Sequence, residues 1–247
     1  MTIPNPGNPA LNDSVDLTKC VAVVTGASSG IGAAISQALL DAGMRVHGVA
    51  RRGSEYPGDY HPHVADITSS RDIDDLAGDL KNEPLHVLVL AAGTNVTDRR
   101  FDQLTRKDVA LLLETNLASS FSLVSAFLPA LRESRGHVVF ICSVSAEWPD
   151  ASGAAYQASK AGLLALARGL SSEEHTNGVR VTSILPGMVD TPLVDLRPEP
   201  PSAETRALML RSEDVAAACF AALTLPKRAT ISEISILPTA LQTIGHT

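Results

Sequence analysis

Cysteine is scarce in this chain, with three among 247 residues. Cys20, Cys142 and Cys219 each sit in an apolar run, without a Cys-x-x-Cys pair or zinc-type Cys/His spacing. That pattern argues against a disulfide framework and a thiolate metal centre, and for buried reduced thiols. Basic residues are also in deficit, 20 Lys and Arg against 27 Asp and Glu, for a net charge of −7 with the charges dispersed. The basic stripe of a nucleic-acid binder or an anionic-membrane binder is missing, so the expected partner is a small molecule. The N-terminus lacks the basic start and apolar stretch of a secretory signal, and no apolar run is expected to supply the roughly 20 residues of a membrane span. A soluble cytoplasmic protein is the reading. Aromatic residues are only 4%, with one tryptophan and three tyrosines.

What the chain does have is apolar content, 45% of its residues, enough for one sizeable core. Residues 1–17, rich in Pro, Asn and Gly, are read as a loose tail, and 18–247 as one domain. Short β-branched segments (CVAVVT, MRVHGVA, HVLVLAA, GHVVFIC, VRVTSIL, ISEISIL) alternate with stretches of helical periodicity, the longest being 107–131 and 155–175. Strand and helix in alternation mean a parallel sheet covered on both faces, because parallel neighbours require crossovers. The fold class is therefore α/β, a single doubly wound domain. Two stretches break the alternation. RRGSEYPGDYHPH carries turn chemistry in place of a helix, and the connection at about 188–211 is long enough to be functional, read as a mobile, mostly apolar lid.

The first strand runs into Thr25-Gly26-Ala27-Ser28-Ser29-Gly30-Ile31-Gly32 and then a helix. Glycines there let the backbone turn and approach a pyrophosphate, while the helix N-terminus favours an anion. The second strand ends at Val49-Ala50-Arg51-Arg52, with no acid before Glu55. A carboxylate at this position would bind an NAD ribose hydroxyl; the guanidinium fork of Arg51, helped by Arg52, suits a 2′-phosphate, so NADP is the expected cofactor. Asp66, in Val-Ala-Asp-Ile67-Thr, closes a third strand at the same sheet edge, where it either accepts from an adenine amino group or caps a turn.

Tyr156 and Lys160 lie four residues apart on a helical stretch and so share a face. Ser143 ends a strand thirteen residues earlier, at the edge where open α/β sheets bind ligands. These residues, with Thr25 to Gly32, Asp66, Ala92-Gly93, Asn116, Pro186-Gly187 and Thr191, closely resemble the short-chain dehydrogenases/reductases over roughly residues 18–240. The resemblance implies a Rossmann-type oxidoreductase that interconverts a ketone or aldehyde and an alcohol, with catalytic residues Asn116, Ser143, Tyr156 and Lys160. Tyr156 would be the general acid/base, Ser143 would hydrogen-bond the substrate oxygen, Lys160 would bind the nicotinamide ribose and lower the phenol pKa, and Asn116 would hold a relay water. Cofactor contacts would come from Gly26, Ser28, Ser29, Gly30, Ile31, Gly32, Arg51, Arg52, Asp66, Ile67, Ala92, Gly93, Tyr156, Lys160, Pro186, Gly187, Val189 and Thr191.

A free phenol is about three pKa units too weak a base at neutral pH, or ~4 kcal/mol, and an ammonium ~4 Å away at an effective dielectric near 20 is worth about that much. The chain departs from the family's Asn-Asn-Ala-Gly, having Leu90-Ala91-Ala92-Gly93, so bracing amides are missing from the fourth strand. Substrate contacts are expected from Ser143, Ser145, Trp148, Tyr156, Gly187 and Leu193, and Arg197, Arg206 and Arg211 are available for a carboxylate. Trp148 either walls the pocket or packs in the core. His61 and His63 are assigned no metal role. Apolar surplus on the two long helices and the C-terminal tail TALQTIGHT suggest a homodimer or homotetramer. Two rivals remain open: a redox-inactive dinucleotide sensor, expected to have lost one of the four catalytic residues, and an NAD-dependent alcohol dehydrogenase, which Arg51 argues against.

Overall fold

The computed structural model describes residues 15–241. Tail residues 1–14 and C-terminal residues 242–247 lie outside that range. Seven strands form one sheet: β1 Val21–Thr25, β2 Arg45–Ala50, β3 Tyr60–Val64, β4 Val87–Leu90, β5 His137–Ile141, β6 Arg180–Pro186 and β7 Glu233–Ile236. Their order is β3-β2-β1-β4-β5-β6-β7, every pair parallel. The chain leaves β1 toward one edge and returns to β4 on its other side, so a crevice opens beyond the C-terminal ends of β1 and β4, the usual ligand position in such sheets.

Period-two alternation gives each central strand two buried faces. Val23, Leu88, Leu90, Val138 and Phe140 enter one core with Leu123, Phe127, Leu131, Leu163 and Leu164. Their neighbours Ala22, Val24, Val87, Val89, Val139 and Ile141 enter the other with Ile35, Leu39, Val215, Cys219 and Leu223. The helices responsible are α2 Ser70–Asp79, α4 Ser119–Ser134 and α5 Ala154–Glu174 on the first face, and α1 Gly30–Asp41 and α7 Ser212–Leu223 on the second. Truncating a side chain as deeply buried as Phe140, 0% exposed, costs about 3–5 kcal/mol.

The structure corrects the sequence reading in several places. Val15 donates its N–H to the Thr224 carbonyl at 3.1 Å and Leu17 is buried, so both belong to the packed body, not to a loose tail. The turn-rich stretch after β2 ends in β3, a strand with Pro62 at its centre that occupies the sheet edge, where a missing N–H costs no ladder bond. The long helical pattern beginning near residue 107 is two helices, α3 Arg106–Leu113 and α4, joined by a π turn at Glu114–Ala118. Taken end to end, Arg106–Ser134 is long enough to cross a membrane, and an 18-residue window within it is apolar enough, with mean hydropathy 1.4. In the fold, Leu123, Phe127 and Leu131 from it are buried in the core.

The 188–211 connection is also more ordered than a free lid. A bridge pairs Val189 with Leu210, a 3₁₀ turn covers Pro192–Leu196, and α6 covers Ala203–Ala207. Val189, Val194, Met209 and Leu210 are buried.

Candidate active site

The glycine loop between β1 and α1 is shaped by contacts that only a bare Cα permits. Gly26 has φ +70°, and a Cβ there would stand 2.9 Å from the Ala92 Cα; at Gly32 it would stand 2.4 Å from the Gly26 carbonyl oxygen. The loop therefore presses against the end of β4 while α1 starts directly above it. Ser29, the N-cap of α1, makes no side-chain capping bond, and the first turn carries no acid. Its free N–H groups and dipole face the crevice without an internal anion.

Thr25 takes over the bracing expected from the missing amides. Its hydroxyl accepts from the N–H groups of Ala91 (3.1 Å) and Ala92 (3.2 Å) and donates to the Val89 carbonyl (3.3 Å). Arg51 and Arg52 are exposed just past β2, whose end is tied to the loop by the Gly26 N–H donating to the Val49 carbonyl at 2.9 Å. Asp66 turns inward on its own chain, accepting from the Thr68 N–H (2.9 Å) and hydroxyl (2.8 Å), while Ile67 packs against the core.

A cleft with about 270 Å³ of open volume runs from Ile31 beside the loop, along Pro186, Gly187, Val189 and Thr191, to Ser143 and Tyr156. The Thr191 methyl lies 3.2 Å from where a Gly30 Cβ would stand, which joins the glycine loop to the 186–191 segment. Tyr156 and Lys160 project from adjacent turns of α5, both buried, with the Lys160 Nζ 5.9 Å from the phenol ring centre. The ammonium donates to the Ile141 carbonyl at 2.9 Å. A Cβ on Gly93 would be 3.5 Å from that Nζ and 3.4 Å from Asn116 Oδ1, so a bare backbone lines this part of the crevice.

Asn116 lies within the π turn, a distortion often found at functional sites. Its side chain accepts from the Thr94 N–H (2.8 Å) and donates to the Thr94 carbonyl (3.0 Å) and Ser159 hydroxyl (3.0 Å). The amide thus clamps the loop after β4 onto α5 and makes no hydrogen bond to Lys160.

Electrostatics depart from the expectation that Lys160 lowers the phenol pKa. Burial pushes Tyr156 up to about 12; the Ser143 hydroxyl acts in the opposite sense, and the Asp150 carboxylate raises it further. Burial likewise lowers the Lys160 pKa. The physical reason is that removing a phenolate from water costs more than the surrounding groups return, with the ammonium directed at a carbonyl. Tyr156 is a protonated phenol here, suited to donate. Ser143 donates to the Ser145 hydroxyl (3.0 Å), which donates to Asp150 Oδ2 (2.5 Å). Asp150 therefore orients both serines at the cleft floor.

Ser145, Gly187 and Leu193 line the cleft. Trp148 is 49% exposed and lies outside that lining, belonging neither to the pocket wall nor to the core. Arg206 is consumed by ion pairs to Asp190 (2.8 Å) and Asp195, and Arg211 is exposed; Arg197 alone of the three expected arginines reaches the cleft. His61 lies 2.7 Å from Asp59 and His47 is 2.9 Å from His63, yet no group of three or more potential ligands among the described residues is placed to hold a metal. Sequence reasoning missed Arg99 and Asp150, which come from loops after β4 and β5 and carry no periodic or motif signal. Arg99 is 6% exposed and donates to the carbonyls of Val96 (3.0 Å) and Leu196, tying the 192–196 turn to the loop after β4.

Known proteins resemble this chain in sequence and fold. A family model described as short chain dehydrogenase matches residues 20–201. An uncharacterized oxidoreductase of Staphylococcus saprophyticus is 32% identical over 244 residues, covering 91% of this chain and 99% of that protein. One from Staphylococcus epidermidis is 33% identical over 228 residues, covering 88% and 96%. Among solved structures, the closed form of serine dehydrogenase complexed with NADP+ superposes with a TM-score of 0.85 at 26% identity, covering 92% of this chain and 98% of that one. A metagenomic short-chain oxidoreductase in complex with NADP gives 0.77 at 30% identity, covering 91% and 99%.

Proposed function

The chain belongs to the short-chain dehydrogenase/reductase family, and from that premise we propose that it is an NADP(H)-dependent oxidoreductase interconverting a ketone or aldehyde and the corresponding alcohol. The observation that carries this reading is the convergence of Ser143 and Tyr156, with Lys160 one helical turn beyond Tyr156, at one end of a cleft whose other end reaches Ile31 in the uncapped first turn of α1.

The residues present fit a nicotinamide dinucleotide. Gly26 to Gly32 would hold its pyrophosphate through free N–H groups, and the exposed Arg51 would read the 2′-phosphate, with Arg52 adjoining. Asp66 and Ile67 would border the adenine. Ala92, Gly93, Pro186, Gly187, Val189 and Thr191 would line the nicotinamide half, with Lys160 on the ribose. NADP bound to the two solved relatives supports the choice of cofactor. When bound, the nicotinamide supplies or accepts the hydride.

The chain's own groups handle the proton. In reduction, the Tyr156 hydroxyl donates to the carbonyl oxygen as negative charge develops on it, and the Ser143 hydroxyl stabilises the same oxygen. In oxidation, a Tyr156 phenolate takes the alcohol's proton, while Asn116 fixes the loop and helix that position Lys160. The exposed apolar residues Leu111, Leu113 and Phe121 on α3 and α4 support a homodimer or homotetramer.

The cofactor reading is tested by comparing kcat/KM for NADPH and NADH in the wild type and in Arg51→Asp. A wild-type preference for NADPH that reverses in the variant is expected. An unchanged ratio removes Arg51 as the phosphate reader.

A further inference from the structure

Two guanidinium groups share the substrate end of the cleft, Arg99 and Arg197. Neither has an ion-pair partner among the described residues, whereas Arg45, Arg132, Arg168 and Arg206 each meet a carboxylate. Arg99 is almost wholly buried and bonded only to the neutral carbonyls of Val96 and Leu196. A buried cation without an anion is costly, and here a second cation repels it: burial and then Arg197 both lower the Arg99 pKa. Arg197 also acts on Tyr156, favouring its ionised form, which brings this positive charge close to the reacting end of the cleft. The one carboxylate in the cleft lining among the described residues, Asp150, offsets Arg99 at a distance, but its oxygens are turned onto the Ser145 hydroxyl (2.5 Å) and the Ser152 N–H (2.8 Å). In a chain of net charge −7, a cleft carrying two unmatched arginines is a local departure that an anion would resolve.

We infer that the substrate is a carboxylic acid, a short hydroxy acid or its oxo-acid counterpart, whose carboxylate is held by Arg197 and Arg99 while its hydroxyl or carbonyl faces Tyr156 and Ser143. This rests on the dehydrogenase reading and names its substrate class. In oxidation the carbinol carbon loses a hydride to the oxidised nicotinamide and the hydroxyl loses its proton to Tyr156. The carbon–oxygen double bond forms and the carboxylate is unchanged, so the products are the oxo acid and the reduced cofactor.

The test is calorimetric titration of the full chain, with and without saturating NADP+, using 3-hydroxybutyrate against 3-hydroxybutyramide and lactate against lactamide. Each pair differs in charge and little in shape. For at least one pair, the acid should bind tenfold or more tightly than its amide, the amount expected from charge-assisted bonds to arginine. The preference should fall toward one in Arg197→Gln, a change on a partly exposed turn, and should survive in Arg99→Lys, which keeps the charge. Equal binding or no binding of acid and amide in both pairs, or a preference undiminished in Arg197→Gln, overturns the inference. Parallel NADP+ reduction assays separate the two readings. Acid preference without any turnover leaves the anion site standing and removes the dehydrogenase. Turnover of neutral alcohols without acid preference does the reverse.

Discussion

Raising the pH from 7 to 9 should accelerate alcohol oxidation about tenfold per unit and leave carbonyl reduction nearly unchanged. Oxidation needs the Tyr156 phenolate, and burial holds the phenol pKa at about 12. Ionising it at pH 7 then costs about 7 kcal/mol. A unit positive charge brought to ~4 Å returns ~4 kcal/mol at an effective dielectric near 20, roughly three pKa units. The rise in oxidation rate should therefore continue to about pH 9 before it levels. Reduction uses the protonated phenol, which in the absence of that added charge keeps its pKa of about 12 and is fully populated throughout that range. The assay is kcat/KM in both directions from pH 6 to 10 at constant ionic strength, followed by the absorbance of the reduced nicotinamide. An oxidation profile flat between pH 7 and 9, or a reduction rate that falls tenfold across it, would refute the buried-phenol argument. The same pKa bears on stability. Because the folded value lies above the unfolded one, the phenol's contribution is complete below pH ~10 and is lost as pH rises toward 12.

Gly32→Ala should lower both dinucleotide affinity and stability, because the new Cβ would lie 2.4 Å from the Gly26 carbonyl oxygen, a backbone atom that cannot rotate away. Overpacking of that kind costs about 1–3 kcal/mol, or several degrees in Tm for a chain of this size, read by thermal unfolding with and without NADP+. His137 is buried with its pKa pushed down to about 3. Its stabilising contribution should be present above pH ~6.5 and be lost as pH falls, by up to about 1.4 kcal/mol per unit. His137→Gln should flatten that part of the acid limb in urea titrations; an unchanged slope would contradict the assignment.

Much of the fold was legible because each central strand is buried on both faces, which forces continuous apolar runs such as Val87–Leu90 between amphipathic helices. For β3 only the end at Asp66 was legible, since Tyr60–Val64 is an edge strand whose exposed His61 and Pro62 satisfy no apolar pattern. The π turn was hidden for a related reason: Glu114–Ala118 keeps the helical spacing of apolar residues while adding one residue to a turn. At the site, Gly26 to Gly32, Ser143, Tyr156 and Lys160 were visible because their chemistry depends on local spacing along a loop or a helix face. Arg99, Arg197 and Asp150 are brought together by the tertiary fold alone, from three separate loops. The direction of the Tyr156 pKa was also beyond the sequence, since helix spacing places Lys160 near the phenol but says nothing of the Ile141 carbonyl that accepts a hydrogen bond from its ammonium.

The central claim is hydride chemistry dependent on the Tyr156 hydroxyl. Its most direct measurement is loss of NADPH absorbance over a panel of short oxo acids, diketones, aldehydes and cyclic ketones, with wild type and Tyr156→Phe in parallel. NADPH binding should be checked in both proteins by fluorescence. We expect turnover by the wild type and its near abolition in a variant that still binds NADPH. Wild-type activity retained in Tyr156→Phe, or no turnover of any carbonyl despite bound NADPH, would contradict it.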